Sequence, residues 1–195
     1  NYVSENSKLA YAEEKIIDSL MERPSRKAKI IDKKVIKELG GTQYTFENGV
    51  KIITKKTDFQ NNNIEIYAGS KGGYYQHSEK EFPSAKVAVE FAAQSGLAGY
   101  TNTQIKKYSA TKNLNVNYGI NYTEEYLQAS ACKENIEETL QTFNLIFTKP
   151  QFTEDAWKNL VSTYSEIAET YGAKPMQTFS EKINEAIYGK TLWHI

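Results

Sequence analysis

The hydrophobic and polar positions of residues 44–68 alternate in short runs separated by turn residues, a pattern typical of antiparallel β-strands. Residues 44–46 and 50–54 are β-favouring, and they flank Asn48 and Gly49, a dipeptide that favours the tight turn of a hairpin. Residues 64–68 form another β-favouring run, which a group of glycines ends. The pattern therefore predicts a hairpin followed by a third strand.

Helical signals follow this strand-rich segment. Phe82 and Pro83 predict the start of a helix that runs to about residue 95. Thr101 and Gln104 have the spacing of a capping box, in which each side chain satisfies a free backbone N–H of the other residue. We therefore expect a second, shorter helix that reaches about residue 111.

Two more strands and three more helices complete the predicted order. Residues 114–120 alternate apolar and polar, and residues 125–131 are again strand-like, so they predict an antiparallel pair with one buried face. Three apolar stripes at helical spacing follow, and we expect them to face the core. The stripes consist of Ile136, Leu140, Phe143, Ile146 and Phe147; of Trp157, Leu160, Val161, Tyr164, Ile167 and Ala168; and of Phe179, Ile183, Ala186 and Ile187. The order β-β-β-α-α-β-β-α-α-α predicts an α+β fold, with helices on one face of a mostly antiparallel sheet.

The N-terminal part of the chain has a different character. Residues 4–22 place apolar side chains at helical spacing and predict an amphipathic helix with no obvious partner of its own. Residues 25–41 are rich in lysine and predict a linker with one short element around residues 35–39. We therefore expect a helical arm and linker over residues 1–41 and an α/β domain over residues 42–195.

Composition narrows the classes of function. The 195 residues carry 24 basic and 24 acidic side chains, so the chain has no excess charge for binding nucleic acid. No apolar run approaches the ~18 residues of a membrane span, and Cys132 is the only cysteine, which excludes an internal disulfide. We expect a soluble protein, and the sequence leaves the periplasm and the cytoplasm open as its compartment.

The chain resembles the inactive repeats of insulinase/pitrilysin-type zinc peptidases, also called inverzincins, over most of residues 42–189. The resemblance rests on the order and spacing of several short strings. They are Thr45-Phe46-Glu47-Asn48-Gly49-Val50-Lys51-Ile52, Thr57-Asp58-Phe59, Gly72-Gly73, Ser95-Gly96-Leu97-Ala98-Gly99-Tyr100, Phe147-Thr148-Lys149-Pro150-Gln151-Phe152 and Tyr188-Gly189. The family continues with a further helix and a closing strand, so the resemblance also implies that this domain is truncated at its C-terminus.

The active repeat of the family carries H-x-x-E-H on a helix, where two imidazoles bind zinc and the glutamate activates a water molecule. An ungapped comparison places Val87 and Phe91 at the two histidine positions of this motif. Glu90 falls at the position of the base, and Glu166 falls near that of the third ligand. Valine and phenylalanine cannot bind zinc, so the resemblance implies a degenerate site with no metal and no catalytic residue in this chain.

The only two histidines offer no replacement for the missing ligands. His77 lies in a polar loop and His194 next to the C-terminus, and nothing in the sequence brings them together. Any zinc of the parent protein is therefore expected in another repeat. Surface glutamates on helices are the structural alternative for Glu90 and Glu166.

By resemblance, four related repeats form two halves around a chamber, with zinc in the first repeat and substrate-gripping residues in the last. This chain is similar to the third repeat, preceded by part of the linker between the halves. Its expected partners are the other repeats and the peptide substrates of the parent, and we expect the isolated chain to dimerise through its arm. Two alternatives remain open: a free-standing, non-enzymatic partner subunit of a peptidase-like complex, and an unrelated α+β binding domain.

Overall fold

A computed structural model describes residues 17–25, 27–171 and 173–190 of the chain. Six strands and five α-helices are formed within these residues. The strands are β1 (Ile30–Ile36), β2 (Gly41–Phe46), β3 (Lys51–Thr54), β4 (Ile64–Lys71), β5 (Asn115–Ile120) and β6 (Glu124–Ala131). The helices are α1 (Phe82–Ser95), α2 (Asn102–Lys112), α3 (Ile136–Thr148), α4 (Glu154–Thr170) and α5 (Pro175–Tyr188). The predicted order of strands and helices is confirmed, with one additional strand at its start.

The predicted hairpin joins β2 to β3. The turn is closed by a hydrogen bond of 2.9 Å from the backbone N–H of Gly49 to the carbonyl of Phe46. The side chain of Asn48 accepts a second bond from the backbone N–H of Val50 at 3.2 Å. Gly49 has a φ of 85°, a left-handed conformation that a glycine adopts without strain. The turn chemistry read from the sequence therefore sets the register of these two strands.

The additional strand β1 lies where the sequence predicts a linker. It pairs antiparallel with β2, so that Lys33 lies opposite Tyr44 and Val35 opposite Thr42. The ammonium group of Lys33 lies 5.5 Å from the centroid of the Tyr44 ring. The sheet thus accommodates the charged side chains in the middle of β1. Their polarity is the reason why the pattern of hydrophobic and polar residues does not predict this strand. The prediction of a linker with one short element around residues 35–39 did not include this strand, which a short 3-10 helix at Lys37–Leu39 follows.

A second three-stranded sheet carries one hydrophobic cluster of the core, so the strands form two sheets rather than the single one predicted. Its order is β4-β6-β5, and both pairings are antiparallel. The register places Ala129 between Ile66 and Val116, and Leu127 between Ala68 and Tyr118. These side chains share one face of the sheet and pack against Phe143 of α3. The prediction of helices on one face of an antiparallel sheet is confirmed.

Local signals fix the starts of the helices. The capping box at α2 is confirmed, because the hydroxyl of Thr101 accepts from the backbone N–H of Gln104 at 3.1 Å. The Gln104 side chain in turn accepts from the backbone N–H of Thr101 at 2.9 Å. Thr153 caps α4 by accepting from the backbone N–H of Ala156 at 3.3 Å. Each of these residues satisfies a backbone donor that a helix start leaves without an intrahelical partner.

The apolar stripes of the last three helices are only partly buried. Phe143 of α3 and Leu160 of α4 belong to the core. The prediction that the whole stripes face inward was wrong, because many of their members are exposed. The exposed members with large side chains are Leu140, Phe147, Trp157, Val161, Tyr164, Ile167, Phe179, Ile183 and Ile187. The outer sides of α4 and α5 are therefore apolar faces without a partner in the described part of the chain.

The helix predicted over residues 4–22 falls mostly outside the described residues. Residues 17–22, which are described, are not helical. Ile17 and Leu20 are nevertheless only 8% and 5% exposed, since they pack against Leu97, Tyr108 and Leu145. Tertiary contacts with this domain therefore hold a segment whose apolar spacing resembles that of a helix.

Candidate functional site

The residues that the family resemblance places at the two histidine positions of the motif lie on α1 and have an apolar environment. Val87 and Phe91 are four residues apart and therefore lie on the same side of the helix, both half-buried. The ring of Phe91 lies 5.2 Å from the centroid of Phe152 and 5.5 Å from that of Trp157, with tilted geometry. Hydrocarbon side chains occupy this side of the helix, and they offer no lone pair to a metal ion.

Glu90, at the position of the base, connects α1 to α4. Its carboxylate accepts a hydrogen bond of 3.0 Å from the hydroxyl of Tyr164, and one of 3.0 Å from the side-chain amide of Gln94. Burial raises the pKa of Tyr164, and the hydrogen bond to Glu90 raises it further. The Tyr164 hydroxyl therefore stays protonated at neutral pH and donates this hydrogen bond. In this arrangement Glu90 acts as a hydrogen-bond acceptor between two packed helices.

The other candidate ligands do not complete a metal site. Glu166 is exposed on α4, where its backbone carbonyl accepts from the Thr170 hydroxyl at 3.0 Å. His77 is half-buried after a short 3-10 turn, and His194 lies outside the described residues. Among residues 17–25, 27–171 and 173–190, no three His, Cys, Asp or Glu side chains are grouped closely enough to hold a metal ion. The donor set at Val87, Glu90, Phe91 and Glu166 does not fit the zinc site of the family.

A groove of about 380 Å³ runs between α1 and the outer edge of β5. Five consecutive strand residues, 116–120, line it. Successive side chains of a strand point to opposite faces, so a run of consecutive residues can line one groove only along a strand edge. β5 is the last strand of its sheet, and its outer edge has no strand partner in the described structure. The groove therefore exposes backbone that can pair with another extended chain.

One face of α1 forms the opposite wall of the groove. Lys86, Val89, Glu90 and Ala93 line it, and their spacing places them on a single side of the helix. The wall carries one positive and one negative side chain one turn apart, with apolar surface between them. A chain bound along β5 would thus meet both charges and hydrocarbon surface.

A pocket of about 470 Å³ lies at one end of the groove, between α1, α2, α3 and β5. It shares Ala93, Val116 and Tyr118 with the groove. Its other apolar lining residues are Leu97, Ile105, Leu114 and Ile146. A side chain projecting from a chain on the β5 edge could enter it. The pocket is large enough for an aromatic or a branched aliphatic side chain.

Sequence reasoning did not predict this groove. The alternation of residues 114–120 predicts the strand, but an edge position depends on which strands pair, and a local pattern does not contain that information. A signal was present in the α1 sequence, where a small, exposed Ala93 follows Lys86, Val89 and Glu90 on one helical face. The structure therefore adds a candidate binding site beside the degenerate metal-site positions.

The comparisons with known proteins relate this α+β fold to zinc proteases. No family model matches the chain. In sequence the chain is 22% identical over 147 residues to the probable zinc protease PqqL of Escherichia coli (strain K12), which covers 75% of this chain and 16% of that protein. This similarity confirms the resemblance drawn from the sequence.

Solved structures give the same result for the fold. The periplasmic protease PqqL from Escherichia coli superposes with a TM-score of 0.75 at 23% identity. The ferredoxin protease FusC, solved as a variant in complex with Arabidopsis ferredoxin, superposes with a TM-score of 0.79 at 15% identity. Each match covers 94% of this chain and 20% of the other one. The chain thus spans a fifth or less of the length of these relatives. None of the helices in the described ranges is long and apolar enough to cross a membrane.

Proposed function

We propose that this chain is a non-catalytic repeat of a larger zinc-dependent metallopeptidase, the third repeat in its order, and that it binds extended segments of the substrate. The proposal rests on two features of α1. The residues that the resemblance places at the metal-site positions do not form a zinc site, and one face of the same helix borders the open edge of β5. Val87 and Phe91 stand at the histidine positions, while Glu90 borders the β5 groove. The zinc and the hydrolysis would then belong to another repeat of the polypeptide.

Extended peptides are the ligands that suit this groove. An added strand would form main-chain hydrogen bonds with β5 whatever its sequence, and a pocket for one side chain would give partial selectivity. Lys86 and Glu90 are exposed along the opposite wall, so they can contact polar or charged side chains of a bound segment. A chamber wall with this surface would retain unfolded peptides of many sequences. Folded proteins expose few free strands and would bind poorly.

The exposed apolar faces of α4 and α5 support a place inside a larger protein. Phe179 and Ile187 of α5 are among the exposed large side chains, as are Trp157 and Val161 of α4. Contiguous apolar faces are costly in water and usually mark an interface. In the proposed protein, neighbouring repeats cover these faces, residues 1–41 connect the halves, and residues 42–195 form the repeat. The periplasm is the proposed compartment, because the PqqL structure is described as that of a periplasmic protease.

The proposal predicts that the purified chain binds extended peptides but does not cleave them. Fluorescence anisotropy with a labelled, unstructured peptide library measures binding, and mass spectrometry of the same mixtures with added zinc measures cleavage. Ala93→Trp fills the groove and should weaken binding at least about tenfold, a loss of about 1.4 kcal/mol. Ser84→Trp, at an exposed position on the opposite face of α1, is the matched control and should bind normally.

Two results would contradict the proposal. Zinc-dependent cleavage by the purified chain would show that this chain itself contains a catalytic centre. Equal peptide affinities of the Ala93→Trp and Ser84→Trp variants would place binding elsewhere.

A further inference from the structure

The segment of residues 17–23 combines an irregular backbone with deep burial. It is neither helix nor strand, yet Ile17 and Leu20 are among the most buried hydrophobic residues of the described chain. Asp18 and Ser19, which lie between them, are exposed. An alternation of this kind shows that the segment lies on the surface of the domain and inserts two side chains into it.

Three different elements form the groove that receives these side chains. Leu97 comes from the loop between α1 and α2, Tyr108 from α2, and Leu145 from α3. Burial raises the pKa of Tyr108, and a hydrogen bond with the backbone of Leu20 opposes that increase. The groove therefore holds the segment by two apolar anchors and by at least one polar contact with its backbone.

An ion pair fixes the end of the segment. The Arg23 guanidinium donates two hydrogen bonds to the carboxylate of Glu137 at the start of α3, of which the bond from Nε to Oε1 measures 2.9 Å. The two side chains are 77% and 46% exposed, so the pair contributes little binding free energy. Its two parallel bonds set direction and register instead. Affinity for the groove therefore comes mainly from the two apolar anchors.

The connection between this segment and the first strand is exposed. Residues 24, 25 and 27–29 are all exposed, and the carbonyl of Lys29 accepts from the backbone N–H of Glu47 at 2.9 Å, where the first sheet begins. The segment and β1 are thus anchored separately, with a short, accessible stretch between them. Such a stretch can be cut without removing a contact of either anchor.

We propose that residues 17–23 are a docking strap that binds a preformed groove on the domain. Ile17 and Leu20 pack into this groove, and Arg23 pairs with Glu137 at its end. The groove is lined by Leu97, Tyr108 and Leu145. These contacts fix residues 17–23 at one place on the domain. Ile146 packs against the strap cluster and also lines the pocket at the end of the groove, so the strap cluster borders that pocket.

A cut in the connection tests the proposal on the full chain. A protease recognition sequence inserted after Ser25 allows cleavage under native conditions, followed by size-exclusion chromatography and circular dichroism. The expected result is that the N-terminal fragment co-elutes with a body that keeps its helical signal. With Ile17→Ser and Leu20→Ser together, the fragment should dissociate, with retention weakened by about 100-fold or more. Asp18→Ala, between the anchors, should leave retention unchanged.

Three outcomes would overturn the proposal. Release of the unsubstituted fragment from a folded body would show that the groove does not bind it. Retention of the doubly substituted fragment would place the attachment outside residues 17–23. Loss of the body's helical signal on cleavage would show that these residues are an inseparable part of the core and not a docking segment.

Discussion

The side-chain carbonyl of Gln151 accepts a hydrogen bond of 2.8 Å from the backbone N–H of Gly99, and so joins the loop between α3 and α4 to the loop between α1 and α2. The amide of the same side chain donates to the backbone carbonyls of Ser95 and Tyr100. One glutamine thus satisfies three backbone groups of a loop that ends α1 and precedes α2. That loop also supplies Leu97 to the strap groove.

Gln151→Leu should destabilise the domain by about 1–3 kcal/mol, because it leaves polar backbone groups of a partly buried loop without their partner. Urea unfolding followed by circular dichroism measures the change. Gln128→Leu, at an exposed glutamine on β6, is the control and should change the free energy of unfolding by less than about 0.5 kcal/mol. Similar losses in both variants would contradict the role assigned to Gln151.

Zinc binding should appear when the motif is restored. The unsubstituted chain is expected to bind no zinc, whereas Val87→His together with Phe91→His recreates H-x-x-E-H around Glu90. Loss of the Phe91 aromatic contacts should reduce stability by about 1–3 kcal/mol. Isothermal titration with zinc measures binding.

Glu166→Ala in this doubly substituted background tests the third-ligand position and should weaken zinc binding further. Zinc binding by the unsubstituted chain, or none by the double variant, would show that the comparison with the motif is misplaced.

Stability should fall at acid pH partly through Glu125. Hydrogen bonds from the Ser70 hydroxyl and from the backbone N–H of Gly73 lower the pKa of this carboxyl in the folded state. Folding therefore favours the ionised form. The resulting stabilisation is complete above the unfolded pKa of about 4.3 and is lost as the pH falls through the lower folded value.

Ser70→Ala removes the larger cause of this shift and should flatten the pH dependence of the free energy of unfolding below about pH 4.3. Glu125→Gln removes the carboxyl itself and should reduce this pH dependence more than Ser70→Ala does. Chemical denaturation at a series of pH values provides the measurement, and an unchanged slope in both variants would refute the assignment.

Two glycines with positive φ should differ in their tolerance of a side chain. A Cβ on Gly73 would lie 2.5 Å from the carbonyl oxygen of Asn121, whereas a Cβ on Gly49 would meet no atom within 4 Å. Gly49→Ala should therefore cost only the backbone strain, roughly 1–2 kcal/mol, and Gly73→Ala distinctly more. Thermal unfolding of both variants compares them. Equal costs would show that the segment after β4 can move away from the turn between β5 and β6.

The isolated chain should associate with itself through its uncovered helices. Phe179 and Ile183 lie on the exposed apolar face of α5. Phe179→Lys and Ile183→Lys should lower the apparent mass measured by light scattering at high concentration without changing circular dichroism. A monomeric unsubstituted chain would contradict this expectation and would leave those faces without evidence of a partner.

Most elements were predictable because their signals are local. The Asn48 and Gly49 turn, the Thr101 and Gln104 capping box and the alternation within β5 act within a few residues of the chain. β1 was missed because its central lysines hide the strand pattern, and one of them, Lys33, lies over the ring of Tyr44. Whether such a segment forms a strand depends on the strand with which it pairs, and that partner lies elsewhere in the sequence.

The candidate site was predictable only in part. The resemblance to the family places Val87, Glu90 and Phe91 at positions of H-x-x-E-H, and this placement stays a prediction. The structure adds the aromatic contacts of Phe91 and the Tyr164 bond of Glu90. The groove beside them depends on the strand order. The strap depends on tertiary burial of Ile17 and Leu20. Neither property is contained in a local pattern.

The most direct test of the central claim is to read the coding sequence on both sides of this segment in its native gene. The account predicts a continuous reading frame in which an upstream repeat carries H-x-x-E-H and a later glutamate ligand, with the zinc site there. A start codon just before Asn1 and a stop codon just after Ile195 would contradict it. The chain would then be a free-standing domain without a catalytic partner in the same polypeptide.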